Sequence, residues 1–247
     1  MGAQLSLVMP FYMNSGMLAR QFEGWAAWPA RVKREIEIVL VDDGSPEPAV
    51  DVPRPDGLPA LSIYRVTEDR PWHQHGARNL GAHVANGKWL LLTDMDHVLA
   101  VDSAASLLKR IRLGQLDETT TYMLDRIEAD TGLPTIGRDG QPKPHPNSFV
   151  LTKEHFWRIG GYDEDFCGVY GTDGLFRQRA FTLGTRGHLK HIQLVRYWRD
   201  LVPDASTNAP RKEGREAGAK KEVLKRKAAR GELDVVKVLQ FEWERVL

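Results

Sequence analysis

The chain has 247 residues, a near-neutral balance of 34 Lys and Arg against 33 Asp and Glu, and 42% hydrophobic residues. That length and apolar content exclude a wholly disordered chain and predict one main domain with an appended tail. A net charge of +1 gives no whole-chain field for nucleic acid or membrane, and the single cysteine, Cys167, excludes an intrachain disulfide and a thiolate metal cage.

In chain order, Leu5 to Met9, Ile36 to Val41, Leu61 to Val66 and Trp89 to Thr93 are short β-branched or Leu-rich runs that read as buried strands. Amphipathic stretches alternate with them. One helix is predicted from a Ser15 cap towards Trp28, one over Gln74 to Asn86 closed by Gly87, and one from a Ser103 cap to Gly114. A further helix over Leu175 to Leu183 and a strand through Gln193 to Tyr197 follow. This βαβ alternation predicts an α/β fold with a doubly wound, mostly parallel sheet, whose ligands bind beyond the carboxyl ends of the strands.

Two stretches read as irregular. Ser45 to Pro59 carries five prolines, and Asp130 to Pro146 contains Gly132-Leu133-Pro134, Asp139-Gly140 and Lys143-Pro144-His145-Pro146, a loop suited to a lid or an acceptor wall. Beyond Pro210 the composition shifts: residues 211–230 hold nine basic and three acidic residues, a net of +6 that leaves −5 elsewhere. This tail is expected to be helical, and Val235, Leu239, Trp243 and Val246 are spaced to form the apolar stripe of a final helix. The expected division is therefore a domain over 1–208 and a basic helical extension over 209–247. The apolar runs are too short to span a bilayer and the start lacks a signal-peptide pattern, which with the lone cysteine predicts a soluble, cytoplasmic protein.

Two acidic clusters close predicted strands. Asp94-Met95-Asp96 directly follows Trp89 to Thr93, and Asp42-Asp43 follows Ile36 to Val41. Composition alone yields about one Asp-x-Asp triplet in a chain like this, so position carries the signal. Asp163-Glu164-Asp165 lacks a preceding apolar strand and reads as a polar turn. Hard oxygen ligands at the end of a buried strand suit Mg²⁺ or Mn²⁺ facing a substrate diphosphate. The carboxylates of Asp42 and Asp43 suit the N–H and hydroxyl groups of a base or sugar.

The ordered segments Leu5-Ser6-Leu7-Val8-Met9-Pro10-Phe11-Tyr12, Val41-Asp42-Asp43-Gly44-Ser45, Gly76-Ala77-Arg78-Asn79-Leu80-Gly81 and Thr93-Asp94-Met95-Asp96 resemble family-2-type glycosyltransferases with the GT-A fold. The resemblance runs from about residue 4 to 200 and closes on Gly160-Gly161-Tyr162-Asp163-Glu164 and Tyr170-Gly171-Thr172-Asp173. It implies that Pro10 and Tyr12 line a nucleotide base, that Asp42 and Asp43 contact base or ribose, and that Arg78 holds the diphosphate side. It further implies that Asp94 touches the ribose or metal, that Asp96 is the direct ligand of Mn²⁺ or Mg²⁺, and that Asp173 is the catalytic base. A third metal ligand is left open among His188, His191 and Asp200. His97, next to the triplet, is a further candidate, and Trp72, His73 and His75 can form a wall against base or sugar.

The activity so implied is inverting, metal-dependent transfer of one sugar from a nucleotide-sugar, commonly a UDP-sugar, to an acceptor hydroxyl. A saccharide acceptor is open, and so is a hydroxylated DNA base reached through the basic tail. Gln193-Leu194-Val195-Arg196-Tyr197 is similar to the Gln-x-x-Arg-Trp motif of processive synthases, but without accompanying membrane helices single transfer is expected. Two rival readings are a sugar-nucleotidyltransferase and a non-catalytic module that binds nucleotide-sugar or polyanion. The first would need a Gly-rich phosphate loop where the chain reads Pro10-Phe11-Tyr12-Met13-Asn14.

Overall fold

The computed structural model describes residues 2–168, 173–198, 201–202, 222, 226, 230 and 238–247. Four parallel strands form the centre: β1 (Leu5–Phe11), β2 (Ile36–Asp42), β3 (Ala60–Val66) and β4 (Trp89–Leu92). They match the four apolar runs read from the sequence. Five further strands extend the sheet: β5 (His97–Leu99), β6 (Thr120–Glu128), β7 (Phe149–Thr152), β8 (Thr185–Arg196) and β9 (Trp243–Arg245). The order is β5-β8-β6-β7-β4-β1-β2-β3-β9, with β7 running antiparallel between β4 and β6.

Helices cover both faces. Leu5, Leu7, Met9 and Phe11 of β1 turn towards α1 (Ser15–Ala26) and α4 (Val101–Arg112), where Met17, Phe22, Trp25 and Leu107 complete one apolar layer. Val8, Val39 and Val41 turn the other way, towards α3 (Gln74–Val84), α5 (Lys153–Arg158) and α6 (Asp173–Leu183), against Ala77, Leu80, Phe156 and Phe176. A one-turn helix, α2 (Ala30–Lys33), precedes β2. The close approach of α3 depends on Gly81, since a β-carbon there would lie 2.3 Å from Cγ1 of Val8.

Some local expectations shift. The cap of α1 is Asn14, whose side chain accepts from the Met17 N–H, in place of Ser15. Helix α4 starts at Val101, and the Ser103 hydroxyl accepts from the Gln193 N–H instead of capping. The final apolar stripe is not a helix at Trp243. Residues 243–245 form β9, antiparallel to β3, because the open edge of β3 offers unpaired backbone groups and Trp243 packs edge-on against Tyr64. Leu239 and Gln240 donate their N–H groups to the Glu164 carboxylate, and Phe241 packs on His73. Val235 and nearly all of 209–237 lie outside the described residues.

At the amino end of the sheet one buried carboxylate organises the turn before β4. Glu37 accepts from the Ser6 hydroxyl, from the Asn86 N–H and side chain, and from the Gly87 N–H. Burial opposes its charge, but these donors outweigh burial and hold its pKa below the usual Glu value. Glu37→Gln puts an amide donor against donors and should lose about 1–3 kcal/mol of stability at neutral pH. Because the folded-state pKa is depressed, Glu37's contribution is present above about pH 4.5 and is lost as pH falls through the folded value, so the gap between wild type and variant in urea titrations should narrow in acid. Gly81→Ala should cost roughly 1–3 kcal/mol by the same measurement, since the added methyl drives α3 off the sheet.

Candidate functional site

The carboxyl ends of β1, β2 and β4 open on one side of the sheet, and α3 starts there. Arg78 lies one turn into α3, fully buried, and its guanidinium pairs with the Asp94 carboxylate just beyond β4. Its other end donates to the Tyr162 hydroxyl at 3.3 Å. Burial opposes the guanidinium charge, but Tyr162, Asp94 and Asp173 outweigh it and raise the pKa above the ordinary Arg value. Arg78 is therefore a permanent cation inside the fold.

Asp94 is heavily occupied. Besides Arg78 it accepts from the Gln74 side chain at 2.7 Å and from Asn147 at 3.2 Å on both oxygens, with His145 Nε2 at 3.6 Å. Asp96 is more open: one oxygen meets His97 Nδ1 at 2.7 Å, and the side chain keeps 27% exposure. Burial pushes its carboxyl up, but the His97 contact and Arg196 outweigh that and hold it below the usual Asp range. His97 stacks on His145 with centroids 3.7 Å apart, and its buried Nε2 has no hydrogen-bond partner.

Asp173 begins α6 and faces His75 Nε2 at 3.8 Å. Burial raises its pKa, whereas His75 and Arg78 lower it further, so the carboxyl sits below its usual range and is ionised at neutral pH. Asp94, from the turn after β4, and Asp173, from α6, thus meet at one buried arginine, with Asp96 two residues beyond Asp94.

The Asp42-Asp43 pair divides. Asp42 is 1% exposed and spent on the chain itself, accepting from the Ser45 and Ala49 N–H groups and from Arg65. It shapes the proline-rich loop, with its oxygens taken by these internal donors. Asp43 accepts from His73 at 2.9 Å, with burial pushing its carboxyl up and His73 pulling it down. Gly44 permits the turn: its φ is +70°, and a β-carbon would lie 2.5 Å from the Glu68 carbonyl oxygen. Pro10 lies near the end of β1 and is half-buried, and the Tyr12 hydroxyl beyond that strand donates to Asp69 at 3.3 Å.

Of the three candidates for a further metal ligand, two are carried elsewhere. His188 meets Asp125 at 2.6 Å, and the His191 N–H donates to the same carboxylate. His188 pairs with Met123 of β6, five residues before the Glu128 that pairs with Arg196, which is ~17 Å along the strand. Asp200 lies outside the described residues. Among the described residues no three His, Cys, Asp or Glu side chains converge as a cage. Asp96 with Asp94 behind it nonetheless suits Mg²⁺ or Mn²⁺, hard cations that complete their shells from water and substrate phosphate. Cys167 has no part in this chemistry, because burial pushes its thiol up to about 12.

The sequence reading missed Gln74, His145, Asn147 and the anchoring role of Tyr162. The run Pro144-His145-Pro146-Asn147 closes the loop predicted over 130–146, and only its return to Asp94 gives it meaning.

Comparison with known proteins gives the family and the fold. The model of "Glycosyl transferase family 2" matches residues 6–161. A validoxylamine A glucosyltransferase of Streptomyces hygroscopicus subsp. jinggangensis (strain 5008) is 26% identical over 231 residues, covering 77% of this chain and 53% of that protein. The chain spans about half the length of such sequence relatives. Among solved structures, S. aureus TarS 1-349 in complex with UDP-GlcNAc aligns with a TM-score of 0.62 at 16% identity, over 94% of this chain and 68% of that one. The mannosyltransferase PcManGT from Pyrobaculum calidifontis, in complex with GDP-Man and Mn²⁺, aligns with a TM-score of 0.59 at 18% identity, over 93% and 65% of the two chains. At such identities the structures speak to the fold, the GT-A arrangement of a mixed, mostly parallel sheet between helices. The family match covers more than half of the sequence, and the chain belongs to glycosyl transferase family 2.

Proposed function

We propose that the protein is an inverting, metal-dependent glycosyltransferase that moves one sugar from a nucleotide-sugar, a UDP-sugar, to an acceptor hydroxyl. The observation that carries this reading is the meeting of Asp94 and Asp173 at the buried Arg78, with Asp96 beside Asp94, at the open end of the parallel strands. Support comes from the family membership and from relatives solved with UDP-GlcNAc and with GDP-Man and Mn²⁺.

Each residue has a distinct task. Tyr12, Pro10 and Asp43 face the nucleoside, with His73 fixing the Asp43 carboxylate. Arg78 and Asp94 form a neutral, rigid pair against which the sugar is oriented. Asp96 holds Mn²⁺ or Mg²⁺, which when bound stabilises charge on the departing diphosphate as a Lewis acid. Asp173, kept ionised beside His75, accepts the proton of the attacking hydroxyl as its oxygen bonds to the anomeric carbon, and direct attack from that side inverts the centre.

A sugar-nucleotidyltransferase fits less well: the segment after β1 reads Pro-Phe-Tyr-Met-Asn, with no Gly-rich phosphate cradle. A purely binding module gives Asp173, set beside His75 and Arg78, no task. For the acceptor, a saccharide hydroxyl fits the family, and the +6 segment at 211–230 adds a polyanion such as DNA. The lone cysteine accords with a cytoplasmic setting, and no helix among the described residues is long and apolar enough to cross a membrane.

Thermal shifts over a panel of nucleotide-sugars with and without Mn²⁺ should identify the donor, since a ligand at about 100 times its Kd adds ~2.7 kcal/mol of stability. With that donor, Asp173→Asn should keep binding and lose ~10²–10⁴-fold in turnover, and the product anomer read by NMR should be inverted. Asp96→Asn should lose metal-dependent donor binding. Normal transfer by both variants would refute the site. Neutralising the basic residues of 211–230 should flatten the salt dependence of acceptor binding if the acceptor is a polyanion, and leave it unchanged otherwise.

A further inference from the structure

Next to this site lies a cation that the proposed chemistry does not use. Arg126 of β6 is 8% exposed, yet its guanidinium makes no hydrogen bond or ion pair with any described residue, and its Nε is fully enclosed without a partner. The obvious anions nearby are already taken. Of the Glu128 oxygens, one accepts from the Thr135 hydroxyl and the other from Arg196 Nε at 3.0 Å. Asp96 turns one oxygen to His97. A buried charge without a partner costs several kcal/mol, so a fold that retains one is built for an anion that arrives from outside.

The location narrows which anion. Arg126 pairs across β8 with Leu194 and thereby with Leu99 of β5, and the next row on that face is Glu128, Arg196 and His97. It therefore sits one row behind the strand ends that carry Asp96, and its charge is felt at Asp96 and at His145. The nucleoside residues lie on the other side of β4: from β2 to β6 is four strand spacings, ~19 Å. A donor reaching from Asp43 to Asp96 leaves the β6–β8 side for the second substrate. There Arg196 stacks on the ring of Trp198 at 3.4 Å, and Trp198 is 46% exposed, an apolar platform beside the cation. The loop over 130–146 closes the same side, tied to β6 through Thr135 to Glu128 and through the Thr135 N–H to the Arg126 carbonyl.

We propose that Arg126, with the Arg196–Trp198 stack beside it, receives an oxyanion carried by the acceptor, a carboxylate or a phosphate. The planar guanidinium offers a two-pronged set of N–H donors that matches either group. This rests on the glycosyl-transfer reading and deepens it: the acceptor is acidic, and its charge is read at a point separate from the donor diphosphate.

The test uses the full chain saturated with UDP and Mn²⁺, titrated by NMR or calorimetry with sn-glycerol 3-phosphate and, separately, with glucuronate. Wild type should bind at least one probe, and the preferred one names the phosphate or the carboxylate. Arg126→Gln should weaken that probe at least ~10-fold and Arg126→Lys less, with UDP affinity held within about twofold. Arg126→Met should melt no lower than wild type without probe, because it removes an uncompensated charge, and should gain nothing when probe is added, whereas wild type gains. Three results would overturn the proposal: neither probe binding wild type, equal probe binding by wild type and Arg126→Gln, or a loss of UDP affinity as large as that of the probe, which would assign Arg126 to the donor. Failure of wild type to bind any nucleoside diphosphate with Mn²⁺ would overturn the glycosyl-transfer reading itself, and is seen before any acceptor probe is added.

Discussion

A guanidinium sealed inside a protein must meet an anion, and in this fold the Arg78–Asp94 pair satisfies that demand at the point where α3 meets the end of β4. The arginine is fully buried, so its partner cannot be replaced by water without a penalty of several kcal/mol. The surroundings are arranged to keep the two groups in contact. Gly81 lets α3 sit close on Val8, Tyr162 caps the far side of the guanidinium, and Gln74 and Asn147 hold the carboxylate from either flank. Tyr162 is in turn stacked on Phe176 of α6, with ring centroids 4.1 Å apart, which links the pair to the helix that carries Asp173.

That arrangement gives the carboxylates different surroundings. Asp94 has its oxygens occupied, while Asp96, two residues on in the turn between β4 and β5, turns one oxygen to His97 and keeps an exposed edge. Asp173 comes from a different helix and stays ionised because His75 and Arg78 outweigh its burial. Asp43 stands apart again, paired with His73, whose ring packs edge-on against Phe241 of the returning carboxyl-terminal segment. The last residues of the described chain therefore support the His73–Asp43 pair, even though a long stretch of sequence separates them from it.

Much of this was legible in the sequence because it depends on local pattern. Strands β1, β2 and β4 are largely apolar runs buried on both faces, β3 towards the sheet edge is only partly buried, and the acidic clusters fall at the ends of β2 and β4. The remainder depends on tertiary choice. The short strand β9 reads as part of a helical stripe until the open edge of β3 supplies its partners. Asp42 and Asp43 are equivalent as letters, and only the turn at Gly44 and the reach of Arg65 decide that one is internal. His188 and His191 were reasonable ligand types at plausible spacing, but a register shift in β8 opposite Leu124 and Asp125 leaves them with Asp125. Asn147 and His145 sit in a stretch whose composition says only loop, and their meaning comes from where that loop returns.

In the proposed site Asp96 holds the metal while Asp173 acts elsewhere on the same substrate. Electron paramagnetic resonance of Mn²⁺, titrated with the full chain in the presence of the nucleoside diphosphate, tests it most directly. One Mn²⁺ should bind per chain for wild type and for Asp173→Asn, and none for Asp96→Asn. Undiminished Mn²⁺ binding by Asp96→Asn, or its loss in Asp173→Asn alone, would contradict it.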